Sequence, residues 1–282
     1  MILELLIRGI LLGMTYGLLA FPVSLLFVTT GSVDVAIGAY VVIAAAVMFT
    51  IGGPLGVICA IGAGVLAAAA VGLLSLRLNR PGHVDHVVPV LATFGVATFF
   101  ESLILTVFGT SSMFSPPILP SAEIFGIRLN LQLFLNAFIC VLILIALMLV
   151  LQRSPYGRAM RASAVNPTGA SLNGIPVRQV WFSTYVLGGL LASITGILIL
   201  YVTGVDYSLG FTFTIWGFGS ALIFGMRSPL RGFAGGTVIG IIQALSAGYL
   251  NAGWATAMPL LCILVVLSLE RMNRVASTGG RV

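Results

Sequence analysis

The chain has 282 residues, of which 59% are hydrophobic and only 7% charged, with a mean hydropathy of +1.16. Soluble domains carry about a quarter charged residues, so a soluble globular fold is excluded and a polytopic membrane protein is indicated. The net charge of +6 is no nucleic-acid signature, because most of the arginines sit at the ends of apolar runs rather than on one surface.

Every backbone N–H and C=O in lipid needs an internal partner. The expected fold is therefore all-α: a polytopic membrane helical bundle of about eight or nine transmembrane helices, forming one domain over residues 1–282. Charge-free runs of 25 residues (9–33), 42 residues (35–76) and 38 residues (232–269) each exceed the roughly 20 residues of a helical crossing. Breaks at Gly52-Gly53-Pro54 and at 78–85, 111–121, 153–178, 204–210, 227–231 and 249–253 leave nine candidate spans. These are 5–28, 35–51, 55–76, 87–108, 130–151, 179–203, 212–226, 233–249 and 256–271.

Glu4 and Arg8 precede a first apolar run too long for a signal-peptide core, so that run reads as a retained span. Pro22 within it, with Gly31 and Gly38 around Asp34, suggests a discontinuous helix beside a pathway. Asp34 fits two roles, a cap for the helix that follows or a pathway group. Glycines spaced four apart (Gly13 and Gly17, then Gly232, Gly236 and Gly240) read as close helix contacts. Cys59, Cys140 and Cys262 lie inside apolar runs without metal-ligand spacing and read as packing residues, with no disulfide. His83, Asp85 and His86 gather at one span end but offer too few ligands for a metal, and read as a solvated interface. Glu101 fits either an interhelical carboxylate near the outer interface or a solute contact. Asp34, Gly38, Thr93 and Glu101 are the candidate transport path.

One stretch, residues 153–178, is polar enough for water and carries four of the thirteen arginines. Ser154 can cap a short helix with Pro155 at its first position; Asn166 and Pro167 repeat the device, and Gly174 stops the second helix. This elbow is either an ordinary basic loop or a docking part. If it is cytoplasmic, alternate loops place eleven arginines inside and leave only Arg8 and Arg128 outside, which predicts the N-terminus outside and the C-terminus inside. At 15 residues, the seventh candidate is either a full span or re-entrant. There is no lysine, so a Walker A loop is impossible, and neither H-E-x-x-H nor G-x-S-x-G occurs. No enzymatic role and no bound cofactor is expected of this chain.

The elbow reads Gly157-Arg-Ala-Met-Arg161-Ala, then Ala170-Ser-Leu-Asn-Gly174-Ile and Arg178-Gln-Val. Downstream stands Gly225-Met-Arg-Ser-Pro229-Leu-Arg-Gly232-Phe-Ala-Gly-Gly236-Thr-Val-Ile-Gly240. Together they resemble the two strong signatures of branched-chain amino acid ABC permeases of the LivH type, and Leu91-Ala-Thr-Phe-Gly95 and Gly38-Ala-Tyr40 fit at matching places. The resemblance runs from about Gly9 to Arg271. It implies one permease half of a bacterial inner-membrane importer for branched-chain or other small amino acids, or a related small amide or carboxylate. Its partners would be a second permease (a heterodimer or a homodimer), two cytoplasmic ATPase subunits that hold the ATP, and a periplasmic binding protein. By motif position, 156–165 and 166–174 would be the coupling helices, with Tyr156, Gly157, Arg158, Arg161, Asn166 and Gly174 as ATPase-coupling residues. Family members commonly carry Ile-Asn-Phe-Ala-His-Gly-Glu at the start of the second span, where this chain has Val33-Asp-Val-Ala-Ile-Gly-Ala39. Ile37 and Ala39 thus make the wall more apolar, which suits a small, partly hydrophobic solute. A self-sufficient channel or ion-coupled carrier is the alternative; it would have no use for a folded elbow.

Overall fold

The computed structural model describes residues 2–78, 87–124, 127–226, 228–250 and 252–279. In chain order its helices are α1 (Ile2–Thr30), α2 (Ile37–Ile51), α3 (Gly53–Leu78), α4 (Val87–Phe108), α5 (Leu131–Arg153), α6 (Pro155–Val165), α7 (Pro167–Leu172), α8 (Val177–Leu200), α9 (Leu209–Ile223), α10 (Pro229–Tyr249) and α11 (Ala252–Gly279). Each of the nine candidate spans coincides with one of these helices, and the polar elbow supplies α6 and α7. By length and composition, α1, α3, α4, α5, α8 and α10 suffice to cross a membrane. α2, α9 and residues Gly253–Ser268 are shorter apolar helices.

Two details depart from the sequence reading. The segment before α5 forms an antiparallel hairpin, β1 (Ser121–Ile124) with β2 (Ile127–Asn130), Ser121 standing opposite Asn130. Asn130 then caps α5, its side-chain oxygen accepting from the Gln132 N–H at 3.0 Å. Pro22 does not interrupt α1, which runs unbroken to Thr30; the discontinuity falls at residues 31–36 instead. A proline inside a membrane helix is tolerated where neighbours close around it, and Pro22 is buried with α8 coming against it at Gly188.

The frame is a glycine-mediated contact between α1 and α10. A Cβ on Gly13 would stand 2.6 Å from Thr237 Cα, one on Gly236 2.1 Å from Gly17 N, and one on Gly240 2.3 Å from Gly13 Cα. All of the predicted four-residue glycine spacings are thereby used in one antiparallel seam, where van der Waals contact replaces the missing hydrophobic drive. A similar seam joins α8 to α2 at Gly196, whose Cβ would lie 2.2 Å from the Val41 carbonyl oxygen. Burial follows from this arrangement: 83% of the apolar window of α1 is buried, against 11% for α4. The centre is α1, α2, α8, α9 and α10, and α4 is a peripheral wall. The Gly52-Gly53 turn, with φ of 64° and 61°, reverses α2 into α3 as the sequence predicts. Cys59, Cys140 and Cys262 are all free thiols. His83, Asp85 and His86, together with Arg80, Arg227 and Arg281, lie outside the described residues.

Because the seam is met by backbone atoms, a larger residue there has nothing flexible to displace. Overpacking typically costs about 1–3 kcal/mol even where side chains can yield. Gly240→Val is expected to lower the thermal unfolding midpoint in detergent by several degrees and to broaden the gel-filtration peak. Gly62→Ala, where no atom lies within 4 Å of the added Cβ, is expected to leave both unchanged.

Candidate functional sites: a helix break, a cleft and an elbow

Between α1 and α2, six residues leave the helix inside the protein: Ser32, Asp34 and Ala36 there are 2%, 5% and 0% exposed. Their backbone groups need partners that an ordinary helix would supply itself. The Gly31 N–H returns to Phe27 O at 2.9 Å, and the Ser32 N–H donates to Thr30 Oγ1 at 3.2 Å. Asp34 Oδ1 accepts the Ala36 N–H at 2.9 Å and Oδ2 accepts the Tyr40 hydroxyl at 3.0 Å. The helix cap position itself is Ala36, so Asp34 acts two residues earlier, through an Asx turn, and its charge stands at the positive end of α2.

Two threonines from other helices complete the segment. Thr93 of α4 accepts the Val35 N–H at 3.1 Å and donates to its own Val90 O at 3.0 Å. Thr214 of α9 donates to Val35 O at 2.9 Å and accepts the Gly38 N–H at 3.0 Å. Each hydroxyl thus uses its donor and an acceptor lone pair. Gly38 is a glycine because α9 passes against it: a Cβ would lie 1.8 Å from Gly210 O. Asp34, Gly38 and Thr93 therefore meet in one hydrogen-bonded junction, to which the structure adds Tyr40 and Thr214, neither of which the sequence reading singled out.

Glu101 stands apart from that junction, in an open cleft of about 370 Å³ between α2, α4 and α9. Ala39 and Val42 form one wall, Phe94, Thr98 and Glu101 a second, Tyr207 and Phe211 a third. Phe94 and Phe211 meet edge to face across it, ring centroids 6.1 Å apart at 84°. Among the described residues Glu101 is the only charged one lining it, and Asp34 does not line it.

The elbow folds as its punctuation predicts. Ser154 Oγ accepts the Gly157 N–H at 3.0 Å ahead of Pro155, and Asn166 Oδ1 accepts the Gly169 N–H at 2.9 Å ahead of Pro167. α7 ends in a Schellman turn: Ile175 N–H to Ala170 O and Gly174 N–H to Ser171 O, both 3.0 Å, with Gly174 at φ 78°. Gly157 admits no side chain, since its Cβ would strike the backbone of Leu151. Tyr156 meets Ser183 Oγ of α8, and partial burial pushes its phenol up, keeping it neutral. Met160 is buried in a cluster with Leu25, Leu147 and Val180, and the elbow helix α6 packs on α1, α5 and α8. Arg161 is not free on the outer face: its guanidinium donates to Leu151 O at the end of α5. Arg158, Val165 and Leu172 are exposed, the last two at 88% and 84%.

A protein family described as branched-chain amino acid transport system, permease component, matches residues 5–268. The chain is 26% identical over 279 residues to the high-affinity branched-chain amino acid transport system permease protein LivH of Salmonella typhimurium, covering 92% of this chain and 91% of that one. It is 28% identical over 285 residues to the galactofuranose transporter permease YtfT of Escherichia coli, covering 94% and 80%. Among solved structures, PsaBC from Streptococcus pneumoniae in complex with Fab matches 92% of this chain and 89% of that one with a TM-score of 0.53 at 15% identity, a likeness of fold.

Removing the Thr214 hydroxyl strands the Val35 carbonyl and the Gly38 N–H, and a buried unsatisfied group costs about 1–3 kcal/mol. Thr214→Val is expected to lower the unfolding midpoint clearly, while Thr214→Ser keeps it near wild type. Equal midpoints for the two variants in a detergent melt would remove the junction's assigned role.

Proposed function

We propose, since this chain belongs to the family of branched-chain amino acid transport permease components, that it is the transmembrane permease of a bacterial inner-membrane importer driven by separate ATPase subunits. The solute would be a branched-chain or other small amino acid. The elbow carries this reading. It is capped at both helix starts, locked to the spans by Gly157 and Met160, and presents Val165 and Leu172 to solvent with no partner among the described residues. Apolar side chains so exposed on a polar platform fit a soluble subunit that covers them. A channel or gradient-driven carrier would have no such requirement. Two ATPase subunits would dock on the elbows of a permease pair, hold the ATP, and pass their closure through α6 into α5 and α8. The second permease subunit, identical or related, and a periplasmic binding protein that delivers the solute complete the assembly. Arg158 contributes a cation to the docking face, while Tyr156, Gly157, Arg161, Asn166 and Gly174 hold its shape.

A second reading of the solute rests on the similarity to YtfT, whose name specifies galactofuranose. A small sugar is therefore a candidate cargo beside amino acids.

Docking is tested by purifying the chain with its co-expressed ATPase subunits. Val165→Asp with Leu172→Asp is expected to lose the ATPase subunits and reduce uptake to background; undiminished co-purification and uptake would defeat the elbow assignment. Orientation is tested with single cysteines in a cysteine-free background. Ser163 is fully buried and unsuitable, whereas Ser112 and Ser171 are exposed. An impermeant thiol reagent is expected to label Ser112→Cys from outside and Ser171→Cys only from inside.

A further inference from the structure

We propose that the cleft between α2, α4 and α9 seats the polar head of the transported solute, that Glu101 accepts hydrogen bonds from an N–H or O–H donor on that head, and that solutes whose only charge is negative are rejected. The inference rests on the permease reading and deepens it to a class of solute. It starts from the lining. Among the described residues Glu101 is the single charged one there, and no arginine lines the cleft. An ionised carboxylate offers acceptors only, so its complement is a donor: an ammonium, or a hydroxyl of a polyol. An incoming carboxylate or phosphate would meet like charge with no compensating cation, which in a confined site suppresses entry.

The remaining walls select the body attached to that head. Val42 and Ile104 are aliphatic, and Phe94, Phe211 and Tyr207 are aromatic, so a short branched chain or the apolar face of a ring is covered there. A volume of about 370 Å³ stands at the small end of ligand pockets and suits one amino acid or one monosaccharide rather than a peptide or disaccharide. Glu101 makes no hydrogen bond or ion pair among the described residues, so no neighbour competes for its oxygens. Asp34, by contrast, has both oxygens engaged, by Ala36 and Tyr40, and is spent on the helix break. The two intramembrane carboxylates thus divide: Asp34 builds the wall and Glu101 faces the solute.

The test uses Thr98, which lines the cleft and is exposed. In a cysteine-free background, Thr98→Cys in the full chain is treated with a cationic trimethylammonium methanethiosulfonate and with its anionic sulfonate counterpart, each rate normalised to that at Ser112→Cys. The cation is expected to be favoured about tenfold in the cleft, and Glu101→Gln to bring that preference back to the Ser112 value. Leucine and galactose at millimolar concentration are then tested for protection of Thr98→Cys. Protection by leucine identifies an amino head and protection by galactose a hydroxyl head; either supports the proposal. No charge preference, or no protection by either compound, overturns it. None of these readouts involves the elbow or an ATPase, so failure here is separate from failure of the docking test.

Discussion

The six residues from Gly31 to Ala36 lie outside the helical hydrogen-bond ladder, three of them (Ser32, Asp34 and Ala36) buried, and satisfying their backbone groups fixes much else in the molecule. An unpaired buried backbone group costs about 1–3 kcal/mol, so leaving several unpaired would exceed the margin by which an ordinary domain is folded. Val35 alone draws Thr93 from α4 and Thr214 from α9. Gly38 must lack a side chain so that α9 can come close enough for the second of these bonds. The break therefore gathers three helices, and the walls of the Glu101 cleft are the next turns of those same helices. A broken helix at such a junction leaves irregular backbone only where protein covers it, which is the condition the bilayer imposes.

The two ends of the molecule are held with different firmness. α1 is buried along most of its length and shares one hydrophobic cluster with α2, α8 and α9 and another with α5, α6 and α10. It is the common reference for cleft and elbow alike. α6 is anchored by Met160 and by the contact of Gly157 with Leu151, so the elbow is packed directly onto the ends of α5 and α8. α4 has little burial and is tied to the break through Thr93, leaving the wall that carries Glu101 the most lightly held side of the cleft.

Much of this was legible in the sequence because it depends on local chemistry. Ser154 with Pro155, Asn166 with Pro167, and Gly174 specify α6 and α7 residue by residue, since caps and positive-φ stops act within one turn. The glycine spacing of α1 and α10 was readable for the same reason, but not that the two face each other. Thr214 was not legible: Thr98 and Thr106 have the same surroundings in sequence and bond only to carbonyls of their own helix. Thr214 also reaches its own Gly210 carbonyl, and only the approach of the 31–38 segment gives it Val35 O and the Gly38 N–H as further partners. Pro22 misled because proline breaks helices in water, whereas here tight neighbours hold α1 together. Arg161 looked free because its acceptor, Leu151 O, comes from the preceding helix as it folds back.

Relatives named for branched-chain amino acids and for galactofuranose align with nearly the whole chain at similar identity, so the helical frame is not what distinguishes their solutes. The seams and caps tolerate few substitutions, because backbone meets backbone in them. The accessible cleft residues Thr98 and Glu101 are under no such restriction, whereas Ala39 and Val42 of the opposite wall are buried. The cleft as it stands sets one carboxylate on α4 against an apolar α2 wall of Ala39 and Val42. On the proposed reading, solute choice belongs to the side chains of the cleft, while energy coupling belongs to the elbow and the helices it is fixed to. One architecture can thereby carry chemically different cargo with the same elbow.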